Sequence, residues 1–92
     1  MKGRVIVTVL GSDKSGIVAS VSKKLCELKG NIIDITQTIF DKELFAMIML
    51  VDLADSTLEF DEFKKEFKSI ENELNLKIYV QHEDIFKAMH RI

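Results

Sequence analysis

The apolar positions of this chain fall into six stretches of distinct period. Residues 5–10 are almost all apolar and rich in Val, with only Thr8 interrupting, as expected of a strand buried on both faces near the middle of a sheet. Ile17, Val21, Leu25 and Leu28 then recur at helical spacing while Lys23, Lys24, Glu27 and Lys29 fall largely elsewhere, which predicts an amphipathic helix. Gly30 is expected to end that helix in the left-handed conformation, with Asn31 leading into a strand over residues 32–40. Asp41-Lys42-Glu43 reads as the polar bend of an antiparallel hairpin whose second strand covers residues 44–53. That strand is apolar on both sides, with Phe45, Met47, Met49 and Val51 on one and Leu44, Ala46, Ile48 and Leu50 on the other. Ser56-Thr57-Leu58-Glu59 reads as a capping box opening a second helix, whose stripe is Phe60, Phe63, Phe67, Ile70 and Leu74 and whose early acids suit the helix dipole. A last strand is expected over residues 76–81, with Leu76, Ile78 and Val80 facing one way.

The order βαββαβ implies an α+β, ferredoxin-like split βαβ sandwich, a four-stranded antiparallel sheet with two helices on one face. Residues 1–82 make a single domain and residues 83–92 a C-terminal extension, expected as a short helix with Ile85, Phe86 and Met89 forming an apolar patch. Two helices cover one sheet face only, so a strand that is apolar on both sides needs a second cover. The extension is too small for the whole face, and a homodimer is the expected solution. A charged residue at position 47 is expected to weaken assembly if the Met47 side is the contact, and to unfold the chain if that side is the core.

At 92 residues the chain is too short to join a nucleotide-binding domain to a catalytic one. Its net charge of -2, with lysines interleaved among acids, gives no attraction to polyanions, so no nucleic acid partner is expected. The single Cys26 excludes an internal disulfide or a thiolate metal cluster, and is expected as a buried or half-buried packing residue. No apolar run is long enough to cross a bilayer, and the first one is broken at Thr8 and by Gly11 without a processing site. The expected location is therefore cytoplasmic, with no membrane partner.

Gly11-Ser12-Asp13-Lys14-Ser15-Gly16-Ile17 joins the first strand to the first helix, which is expected to begin near Ile17. Amides at a helix start can hold a small anion, Gly16 lets a ligand approach without a Cβ in the way, and Asp13 can accept hydrogen bonds from an ammonium group. A zwitterion suits both, although an ordinary tight connection would use the same residues. Ile17 and Val18 stand where a phosphate-binding loop needs Lys and Ser or Thr, and G-x-G-x-x-G is absent, so no nucleotide cofactor is expected. Asn31 is the second polar candidate, expected near the first loop across the sheet end, though a helix-ending Asn beside Gly30 needs no ligand. Gln37 and Thr38 are weaker candidates for an intersubunit groove. His82 and His90 lack the spacing and neighbours of a zinc site, so no metal is expected. Phe60, Phe63 and Phe67 line a helix, as core packing requires and base stacking on a sheet does not. No nucleophile and base, and no pair of carboxylates, has a defined geometry, so no catalytic residue is assigned.

Together the strand at residues 5–10, the Gly11 to Ile17 junction and Gly30-Asn31-Ile32 in βαββαβ order resemble the ACT-domain family, over nearly the whole chain. The likeness is to its small stand-alone bacterial and archaeal members, whose Asp-Lys-x-Gly-Ile motif matches Asp13-Lys14-Ser15-Gly16-Ile17. The resemblance implies a non-catalytic domain that binds an amino acid or related small effector and regulates metabolic enzymes, often with the ligand between paired domains. It also implies that Gly11 shapes the loop, that Asp13, Lys14, Ser15, Gly16 and Ile17 contact the effector, and that Asn31 helps to hold it. Regulation is then expected to act on another polypeptide or through the dimer. The other reading is an adaptor that binds an enzyme or a transcription factor through its sheet face or its C-terminal tail.

Overall fold

Strands and helices form where the two apolar periods place them: β1 (Arg4–Gly11), α1 (Lys14–Glu27), β2 (Asn31–Phe40), β3 (Leu44–Asp52), α2 (Phe60–Leu74) and β4 (Lys77–His82). The structure is a computed structural model that describes residues 3–12, 14–40 and 44–85. The predicted bend at residues 41–43 lies outside the described residues, as do Asp13, Phe86, Met89 and His90; the extension starts in helical conformation at residues 83–85. The sheet order is β2-β3-β1-β4, antiparallel throughout. Each helix thus links two parallel strands with a third between them, which is the predicted split βαβ sandwich.

The core lies between sheet and helices. Val5, Val7 and Val9 of β1 and Phe45, Met47, Met49 and Val51 of β3 are buried against Ile17, Val21 and Leu25 of α1 and Phe63, Phe67 and Ile70 of α2. The Met47 side of β3 is therefore the covered one, and an assembly contact through it is excluded in the folded chain. The open side carries Leu44, Ala46, Ile48 and Leu50, of which Leu44 and Ile48 are exposed.

Strand β2 departs furthest from a core strand. Every one of its residues is exposed, including Ile32, Ile33, Ile35, Ile39 and Phe40. It is an edge strand, and a register shift between Ile32 and Asp34 changes its parity. Ile32 pairs with Val51 and Ile35 with Met49, so residues three apart share the helix side of the sheet.

Three local expectations fail, each for a packing reason. The left-handed residue ending α1 is Lys29 (φ 61°), not Gly30. Gly30 N–H donates to Leu25 O at 2.8 Å and Lys29 N–H to Cys26 O at 3.1 Å, a Schellman pair with Lys29 at its turning point. Gly30 instead lacks a side chain because a Cβ there would lie 3.0 Å from Val51 Cγ1 and 3.3 Å from Leu25 Cδ2. The capping box does not form: the N-cap of α2 is Glu59, without a side-chain cap, and buried Ser56 accepts a hydrogen bond from Leu58 N–H within the preceding turn (3.3 Å). Cys26 is exposed, since it follows Leu25 onto the outer side of α1.

Candidate functional site

The junction between β1 and α1 is built by close packing at Gly11. A Cβ on Gly11 would come within 2.7 Å of Ile17 Cδ1 and closer still to Leu76 Cδ2. Only glycine lets the end of β1, the first turns of α1 and the entry to β4 converge here. Helix α1 starts at Lys14, earlier than its apolar stripe, because Lys14, Ser15 and Gly16 are polar or small and carry none of the stripe. Ser15 and Gly16 consequently lie in its first turn, with Ser15 exposed and Gly16 half-buried. Ile17 is in the core, 1% exposed, so it can offer a ligand its backbone but little of its side chain. No acidic residue of the helix opposes an anion in that turn.

Asn31 is not beside this junction. It pairs with Asp52, which in turn pairs with Arg4, whereas Gly11 pairs with Phe45, opposite Ile39. The two sites sit at opposite ends of the sheet, roughly 23 Å apart along the strands at about 3.3 Å per residue. Gly11, Ser15, Gly16 and Ile17 are brought together, and Asn31 is separated from them within one copy. Gln37 and Thr38 lie on opposite sides of β2, level with Met47 and Ala46.

A cleft of about 380 Å³ opens at the Gly11 end of the sheet, bordered by Leu10, Gly11, Leu44, Asn72, Asn75 and Lys77. Of the predicted ligand-binding residues whose side chains are described, only Gly11 borders it. The sequence reading missed the two asparagines, whose only signal is their place at a helix end. Asn75 also has a plain structural task there, adopting φ 56° to terminate α2. Among the described residues no group of His, Cys, Asp and Glu is placed to hold a metal ion, and no helix is long and apolar enough to cross a membrane.

A split βαβ sandwich with helices on one face defines the class of small ferredoxin-like α+β domains, a fold that carries many unrelated functions. The ACT domain family model matches residues 3–82, and the chain belongs to the ACT domain family, whose members in general bind small ligands in regulatory proteins. It is 55% identical over 89 residues to a UPF0237 protein of Methanocaldococcus jannaschii, covering 97% of this chain and 98% of the relative. A UPF0237 protein of Listeria innocua is 49% identical, with 97% and 99% covered. The solved ACT domain protein from Streptococcus pneumoniae superposes with a TM-score of 0.81 at 44% identity, covering 98% of this chain and all of that one.

Proposed function

We propose that this chain is a non-catalytic regulatory protein that binds an amino acid or related small effector and acts as a homodimer whose two copies share each binding site. The ligand carboxylate meets the positive end of α1 at Ser15 and Gly16, and Asp13, through the family motif, takes the ammonium. The observation that carries the shared site is the placement of Asn31. It is far from the junction of its own copy, yet it stands on an exposed, unpaired edge strand of ten residues. Pairing β2 antiparallel with a second β2 about a two-fold axis reverses the ends, carrying the partner subunit's Asn31 toward the end where α1 begins. The same pairing covers Ile35 and Ile39, which a lone copy leaves in water. Effector binding across the seam then stabilises the dimer by mass action and changes what the dimer presents to a regulated enzyme.

The test uses two inactive variants. Gly16→Val blocks the junction and Asn31→Ala removes the distant amide, so each homodimer should bind the amino acids weakly in calorimetry. Mixing them in equal amounts should restore about a quarter of the wild-type sites, because random exchange makes about half of the dimers mixed and each mixed dimer holds one unaltered junction facing an unaltered Asn31 while its other site carries both changes. No restoration after verified subunit exchange overturns the shared site. The open sheet face, with Phe40, Leu44, Ile48 and Tyr79 exposed, supports the adaptor reading. A stable complex with an enzyme that survives Ile48→Lys would count against it.

A further inference from the structure

The outer edge of β4 lies across the sheet from β2 and is built differently. Helix α2 runs antiparallel beside it, and the two enclose a groove of about 430 Å³. Phe67, Ile78 and Val80 line it with apolar surface, and Lys64, Lys65 and Lys68 stand along it on the helix. All three lysines are exposed. Its acids are Asp61 and Glu71, and the Glu71 carboxylate is turned onto the strand: Ile78 N–H donates to Glu71 Oε2 at 2.7 Å.

That hydrogen bond shows which way the strand faces. Ile78 directs its N–H away from β1, and by the alternation of an antiparallel ladder Val80, two residues on, does the same. At Ile78 the edge is already answered by an oxygen, held where the carbonyl of an added strand would sit. We infer that the groove between α2 and β4 receives an extended, acidic segment of another polypeptide, which adds to β4 as a fifth strand and sets its carboxylates against Lys64, Lys65 and Lys68. Main-chain pairing supplies the register, the alternate side chains that face α2 lay their methylene stems on the apolar floor, and the lysines meet the carboxylates of those same side chains. Glu71 acts as the resident occupant of the edge, displaced from Ile78 when the segment enters. This interaction stands whether or not an effector site is completed through β2.

The experiment titrates the isotopically labelled full chain with a short capped peptide of alternating Val and Glu, with its Val and Lys counterpart, and with free glutamate. The acidic peptide is expected to shift the amide resonances of Ile78, Val80, Lys64 and Lys68 and to slow hydrogen exchange at Val80. The basic peptide and free glutamate should do neither. Reversing two charges, Lys64→Glu with Lys68→Glu, should weaken the acidic peptide about tenfold or more without changing the thermal midpoint by more than a few degrees. Shifts confined to α2 with Val80 exchange unchanged would make the contact a surface charge effect and overturn the proposal. So would equal binding of the basic peptide, shifts reproduced by glutamate alone, or shifts centred on β2.

Discussion

Lys29 holds a backbone conformation that glycine would hold more easily, one residue before a glycine that does not use it. The cause is Val51, whose Cγ1 lies 3.0 Å from where a Cβ on Gly30 would be. Small size is needed at position 30 and a left-handed turn at position 29, and a single glycine serves only one of them. Gly30→Ala should therefore destabilise the fold by about 1–3 kcal/mol through overpacking against Val51 and Leu25. Lys29→Gly should raise stability by up to about 1 kcal/mol, the relief of left-handed strain less the added chain entropy. Urea titrations of both variants check this, and a stabilised Gly30→Ala would show that the packing argument is wrong. Sequence could mark Gly30 as a helix end, but not which residue makes the turn, because the deciding atom belongs to a strand 21 positions later.

At the level of elements, helical periods were legible and their boundaries less so. The α2 stripe of Phe63, Phe67 and Ile70 is buried as its spacing requires, and the Phe63 and Phe67 rings sit 5.0 Å apart. Its capping signature was misleading because Ser56 is used in the turn before the helix. This predicts an asymmetry that a capping box would not give. Ser56→Ala should cost about 1 kcal/mol, since it removes the Leu58 N–H acceptor from a buried site, whereas Glu59→Ala should stay within about 0.5 kcal/mol. Comparable losses in denaturant unfolding would restore the reciprocal box. Strand β3 was legible as a strand, but its two apolar sides could not be ranked from letters alone. Strand β2 was harder still, since nothing in Ile32, Ile33, Ile35 and Ile39 says that the helices fail to reach them, and the shift near Ile33 alters which of them share a side.

At the scale of the whole molecule, the junction residues were legible because they are contiguous, and the place of Asn31 was misread because a crossover helix returns the chain to the end of the sheet where β1 begins. Helix α1 carries the chain back from the Gly11 end, so β2, parallel to β1 in the order β2-β3-β1-β4, starts level with Arg4 and away from Gly11. The same order separates two kinds of apolar residue that composition treats alike. Met47 is fully buried beneath the helices, while Ile39 is 60% exposed on the unpaired edge. Met47→Lys should thus abolish folding, visible as loss of the cooperative thermal transition, because it places a charge in the core without a partner. Ile39→Lys should leave the far-ultraviolet circular dichroism and the thermal transition of the separated copy intact while shifting sedimentation from dimer to monomer, since a lysine on an edge opposes strand addition. If pairing through β2 also builds the effector site, Ile39→Lys should lose amino acid binding together with the dimer, although position 39 is two strands away from β1. A folded Ile39→Lys protein that remains dimeric would place the interface on the open sheet face instead, and one that is monomeric yet binds at wild-type affinity would confine the effector to a single copy.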